Sequence, residues 1–184
     1  MYKMIRIRRK KAMTDYKQRI ALLKGRLPRL VVRRSNREVR MQIAAYEEAG
    51  DKILKSVNSG ELKAYGWEPR GNIPTAYLTG LLLSKKAGEL KGKEMVLDIG
   101  LQTPMKGSVI FAAAKGSIDG GMKVLSNIEF DAKRLSGAHI ADYSAKGEAL
   151  ARSKSQFSAY AKAGFDVSKM TERFEEVKKK ILSD

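Results

Sequence analysis

The sequence predicts an α/β fold, a mixed β-sheet with helices packed on it and a basic N-terminal extension. Three observations lead there. Apolar residues make up 43% of 184, enough for a real core. Period-two segments cluster before residue 58, whereas helical segments alternate with a short apolar strand after residue 70. A meander followed by alternating helices and strands folds most simply as a mixed sheet covered by helices. A ribonuclease-H-like topology is the expected form. The division expected is 1–26 as extension with a short helix, 27–125 as core, and 126–184 as an irregular segment ending in an amphipathic helix.

Thr14 to Lys24 has the pattern of a short helix. Thr14 can cap its start, Gly25 can end it, and Tyr16, Ile20 and Leu23 share one face. Pro28 then breaks the path. Arg29 to Arg34 (RLVVRR) reads as a strand. Its partner runs from Glu38 to Tyr46, with Val39, Met41, Ile43 and Ala45 alternating against Arg40 and Gln42. Ser35-Asn36 supplies a tight turn between them. The hairpin has one apolar face and an arginine-rich edge.

Lys52 to Val57 can add a third strand, and Gly66-Trp67 and Arg70 to Pro74 form a loop. Pro74 to about Ala87 reads as a helix with a broad apolar stripe suited to packing on a sheet. Met95 to Ile99 is a short buried strand, and Ser108 to about Ile118 is a second helix. Residues 126–165 show no clear period. Val167, Met170, Phe174, Val177 and Ile181 step by three and four, which predicts a terminal amphipathic helix.

Charge narrows the function. The formal net charge is +17. Residues 1–40 hold fifteen Lys/Arg against Asp15 and Glu38, a net of +13; the other 144 hold 22 against 18. Such asymmetry points to a localised polyanion, with nucleic acid first and an anionic membrane surface second. The run Arg6, Arg8, Arg9, Lys10 and Lys11 is the densest patch. An isolated basic hexamer reads equally as a solvated tail or a localisation signal. Here the basic character continues through Lys17, Arg19, Arg33, Arg34, Arg37 and Arg40 into folded sequence, which favours nucleic acid. Each phosphate neutralised releases condensed cations. The first dozen residues are expected to order only on RNA, and Tyr16 either stacks on a base or joins the core.

Chemistry is scarce. With no cysteine and only His139, thiolate zinc sites and Cys/His dyads are excluded. The absence of cysteine fits a cytoplasmic protein, and no apolar run is long enough to span a bilayer. Asp98, at the end of a buried strand, could hold Mg²⁺ in a nuclease only if Asp119 and Asp142 converged on it. The plainer role for Asp98 is to pair with a cation. No cofactor is expected.

Seven ordered stretches together resemble a known family: TDYKQRIALL (14–23), PRLVVRRSNREVRMQI (28–43), GW (66–67), NIPTAYLTGLL (72–82), LDIGLQTPMKGSVIFAAAKGSIDGG (97–121), RLSGAHIADY (134–143) and FSAY (157–160). They are similar to the archaeal type of the large-subunit ribosomal protein L-eighteen family, the counterpart of the eukaryotic 5S-binding protein. The resemblance implies a three-layer α/β domain without enzymatic activity. It implies binding to 5S rRNA in the central protuberance, near 23S rRNA and the neighbouring L-five-type protein, as a monomer in the cytoplasmic ribosome. By the same resemblance, Arg33, Ser35, Asn36, Arg37 and Arg40, with the extension from Arg6 to Arg19, are RNA contacts. Lys106 and Ser108 are a second contact. A basic nucleic-acid-binding module without 5S specificity is the alternative that charge alone leaves open.

Overall fold

The computed structural model describes residues 13–147 and 156–183, together with Lys11. The first helix, α1 (Tyr16–Lys24), starts one residue later than Thr14 would place it. Asp15 is the cap: its carboxylate accepts from the backbone N–H of Lys17 at 2.9 Å and of Gln18 at 3.1 Å. The expected apolar face of α1 is not buried. None of its residues is enclosed, and Ile20 is 56% exposed.

The sheet has five strands in the order β3-β2-β1-β4-β5. β1 (Arg29–Arg34), β2 (Val39–Glu47) and β3 (Gly50–Asn58) form the antiparallel meander. β4 (Glu94–Asp98) joins β1 in parallel, and the two-residue β5 (Lys123–Val124) joins β4 in parallel. This is the mixed sheet that the sequence predicts.

Alternation puts Leu30, Val32, Val39, Met41 and Ile43 on one buried face. At the end of β2, Ala44 rather than Ala45 is enclosed, because it lies opposite buried Arg29 on the other face. Leu54 is the extra residue of a bulge. Ile43 pairs with Lys55 and Ala44 with Ile53, so Leu54 has no partner on β2.

Two helices cover the apolar face. α2 (Ile73–Lys86) is capped by Asn72 and is buried from Ile73 to Ser84, on all sides rather than on a stripe. It is enclosed because the sheet, α3 (Val109–Asp119) and the C-terminal helix all pack against it. The α2–α3 crossing is close at two glycines. A Cβ on Gly80 would lie 2.0 Å from the Ala113 carbonyl oxygen, and one on Gly116 would lie 2.1 Å from that of Tyr77. Between β3 and α2, a 3-10 segment (Ser59–Tyr65) stands where the sequence shows no clear period.

Where described, residues 126–165 are irregular only in part, as at 126–131. They hold α4 (Ala132–Ser136), α5 (Ala138–Gly147) and α6 (Ser158–Lys162). α4 and α6 have five residues each, so an apolar period has no room to develop in them. The last helix, α7 (Met170–Ser183), buries Met170, Phe174, Val177 and Ile181 as its spacing predicts. Phe174 stands 6.3 Å from the Trp67 ring and 5.5 Å from that of Tyr77, which ties the C-terminus to the same core.

Candidate nucleic-acid interface

The second face of the sheet carries charge. Arg29 and Arg33 alternate with Leu30 and Val32, so both point away from the apolar core. Arg29 is only 3% exposed. Its Nη1 is 2.8 Å from Asp98 Oδ2, and its Nη2 is 2.7 Å from Asp51 Oδ2. Asp51 also pairs with Arg19 of α1 at 2.8 Å. Asp98 holds a second guanidinium, since Arg33 Nη2 donates to its Oδ1 at 2.8 Å. Arg33 Nη1 further donates to the carbonyls of Asp98 and Val32 at 2.8 and 2.9 Å. Three arginines and two carboxylates therefore form one chain that fastens α1, β1, β3 and β4 together.

This arrangement settles the chemistry of Asp98. Both its oxygens are engaged by arginines, so it pairs with cations as its plainer reading expects. Asp119 is elsewhere, accepting from the Tyr77 hydroxyl at 2.9 Å and pairing with Lys115 at 2.9 Å. Among the described residues no three His, Asp or Glu side chains are grouped to hold a metal. Burial pushes the Asp51 carboxyl up, but hydrogen bonds and charge from Arg29 and Arg19 outweigh it and hold the group below the usual carboxylate range.

The hairpin tip is built differently. The link between β1 and β2 is four residues, Ser35 to Glu38, rather than a two-residue turn. The Ser35 N–H donates to the Glu38 carbonyl at 2.8 Å. The Ser35 hydroxyl accepts from the N–H groups of Arg37 and Glu38 and donates to the Glu38 carbonyl. Ser35 thus braces the turn. Glu38 adds a second brace: its carboxylate takes Asn58 Nδ2 at 2.9 Å and Arg40 Nη2 at 2.7 Å. The Asn58 hydrogen bond, aided by Arg40, keeps its pKa below the ordinary value despite some desolvation. Gly71 lets the next loop lie against the tip, since a Cβ there would fall 2.7 Å from the Ser35 carbonyl oxygen.

The arginines predicted as one group therefore divide. Arg19, Arg33 and Arg40 already hold carboxylates. Arg34, Asn36 and Arg37 are exposed and have no side-chain hydrogen bond or ion pair among the described residues. Lys17 is exposed on α1. Lys106 is exposed ahead of α3, and the Ser108 hydroxyl beside it is enclosed without a partner and does not cap the helix. Arg6, Arg8, Arg9 and Lys10 lie outside the described residues, as does most of the stretch expected to order on RNA; Lys11 is exposed. Sequence reasoning treated Arg29 only as a strand residue and missed Asp51. Three arginines in six positions of β1 was the available signal, because a strand enclosed on both faces must find counter-charges for one of them.

A mixed α/β sheet with a pinned guanidinium cluster and a free basic tip is the build of a basic structural protein. The comparisons with known proteins make this specific. The family model described as "Ribosomal large subunit proteins 60S L5, and 50S L18" matches residues 1–93. The large ribosomal subunit protein uL18 of Haloarcula marismortui is 43% identical over 184 residues, covering 98% of this chain and 94% of that protein. Those of Methanococcus maripaludis and Natronomonas pharaonis are 45% and 41% identical, over 96% and 95% of this chain and 93% and 91% of theirs. The chain belongs to the uL18 family of large-subunit ribosomal proteins. Its role is structural, in the cytoplasmic ribosome, and its relatives are named as ribosomal proteins rather than enzymes.

Proposed function

We propose that this chain binds 5S rRNA and attaches it to the 23S rRNA in the central protuberance, beside the L-five-type protein and as a single copy. Family membership supports the ribosomal setting. The observation that carries the RNA-facing surface is the braced hairpin tip, where Arg34, Asn36 and Arg37 are exposed and uncommitted while the turn beneath them is held by Ser35 and Glu38.

In this reading Arg34 and Arg37 neutralise phosphates, and Asn36 reaches a 2′-hydroxyl or a base edge. Arg33 and Arg40, each already on a carboxylate, contribute their remaining N–H donors in fixed directions. Arg19 and Lys17 present α1, and Arg6, Arg8, Arg9, Lys10 and Lys11 continue the basic track. Lys106, with the backbone at Ser108, forms a second contact at the start of α3. The three-part division at residues 26 and 125 belongs to the same proposal, with the extension as the RNA-binding arm of the core.

The test is a binding titration against 5S rRNA and a length-matched control RNA over a salt series. Preference for 5S rRNA that survives moderate salt supports the reading, and the slope of log K against log salt counts the phosphates neutralised. Equal, steeply salt-sensitive binding to both RNAs would leave a basic module without 5S specificity.

A further inference from the structure

Beside the hairpin tip lies a hollow of about 600 Å³. It is bounded by Asn36 of the tip, by the loop at Arg70, and by side chains of α5 and α6. Its floor is aromatic. The Tyr143 and Phe157 rings stand 6.0 Å apart, and those of Phe157 and Tyr160 6.5 Å apart. Tyr143 lines the hollow and is 42% exposed, so part of the side chain is open to a ligand. Tyr160 is fixed from below: Asn72 Nδ2 donates to its hydroxyl at 2.8 Å, and the Arg70 guanidinium sits 5.4 Å from its ring centre. Burial, chiefly, pushes its hydroxyl up to about 12, so it stays protonated.

The rim is polar and neutral. Asn36, His139 and Gln156 line it, and none makes a side-chain hydrogen bond among the described residues. His139 and Tyr143 are four apart on α5 and so share a face. Burial, with the Arg134 charge, holds the His139 imidazole below its ordinary pKa against the pull of Asp142, so near neutral pH it has one donor and one acceptor nitrogen.

Aromatic faces with amide and imidazole edges match one kind of occupant. A phosphate would need free cations, and among the described lining residues the single cation, Arg70, is already on Glu68 and the Ala159 carbonyl. An apolar side chain would leave the rim groups unsatisfied. An unstacked nucleobase uses both: its face stacks on the rings and its edge takes the amides. The volume falls in the range that encloses small ligands. The entrance adjoins Asn36, so a strand whose phosphates meet Arg34 and Arg37 is delivered to it.

We infer that the hollow between the hairpin tip, the Arg70 loop and helices α5 and α6 is a pocket for one unstacked base of the bound RNA, with Tyr143 and Phe157 as the stacking faces. This rests on the RNA-binding reading above. The pocket adds affinity without releasing counterions, because stacking neutralises no phosphate.

The experiment uses the full chain with 5S rRNA and a length-matched control RNA, comparing the unaltered protein with Tyr143→Ala, Tyr143→Trp and His139→Ala over a salt series. Tyr143→Ala is expected to bind 5S rRNA about ten-fold more weakly with an unchanged salt slope, and Tyr143→Trp to retain binding. His139→Ala, on an exposed position that leaves the helix intact, loses affinity in the same way by a smaller factor. Ultraviolet cross-linking of the unaltered complex should join RNA to the peptide containing Tyr143 or Phe157. If the protein prefers 5S rRNA but Tyr143→Ala and His139→Ala bind it as tightly as before, the inference is overturned. The hollow then serves another occupant, the chain's own residues 148–155 or a neighbouring protein, and 5S binding stands. If the unaltered protein binds both RNAs equally, the 5S reading falls and takes the pocket with it.

Discussion

Leu30 and Arg29 are neighbours on β1, yet they end on opposite faces of one sheet with opposite chemistry. Leu30 is wholly enclosed in a hydrocarbon layer with Val32, Met41 and Ile43. Arg29 is almost as deeply enclosed, but between two carboxylates. The first face is held by burial, which is non-directional and tolerates substitution by shape. The second is held by pairs that work only together, since each buried charge depends on its counter-charge. A third setting, the hairpin tip, uses the same residue type in water, where Arg34 and Arg37 hold nothing among the described residues. One residue type thus serves as a buried tie and as a free ligand within a few positions.

The largest effect should come from breaking the charged face. Asp98→Ala leaves Arg29 with Asp51 as its counter-charge and frees Arg33, and it should destabilise the fold by up to about 3–5 kcal/mol in urea unfolding. A loss below about 1 kcal/mol would mean the network is solvated and the two faces are not as different as drawn.

On the apolar face, Leu30→Ala should cost about 2–5 kcal/mol by leaving a cavity in an enclosed strand. The comparison sharpens with Leu30→Met, which keeps the volume and should cost less than about 1.5 kcal/mol.

The acid limb separates the faces further. The Asp51 carboxyl sits below its usual range in the folded chain, so its contribution is present above the unfolded pKa of about 3.9 and is lost as pH falls through the lower folded value. Stability measured from pH 5 down to pH 2 should therefore fall less steeply in Asp51→Asn than in the unaltered chain. An identical slope in both would remove Asp51 from the account.

The smallest effect on stability belongs to the tip. Arg34→Ala and Arg37→Ala should each change unfolding free energy by no more than about 0.5 kcal/mol, as surface positions do. In RNA titrations each should lower the salt slope by about one. Arg33→Ala reverses the order, with a clear loss of stability and a weaker effect on the slope. Equal slopes for all three variants would erase the distinction between tie and ligand.

Much of the fold was legible beforehand. The alternation of β1 and β2 and the three-four spacing of α7 both place the residues that become enclosed. The five-residue helices α4 and α6 were not legible, because five residues cannot display a period of 3.6; the ten-residue α5 was missed although it is long enough to show one. The α1 face misled for a different reason: Ile20 has helical spacing from Tyr16, but it remains 56% exposed.

The sequence by itself determined the sign, size and location of the charge, the period of the long elements, and the ordered set of stretches by which the family is met. These are properties of neighbours along the chain. Only the tertiary structure decided which arginines are free. Arg29 and Asp98 are 69 residues apart and meet at 2.8 Å; Asn36 and Tyr143 line one hollow from opposite parts of the chain. Charge pairing and enclosure depend on distance through space and on exclusion of water. Neither quantity exists until the sheet brings β1, β3 and β4 together.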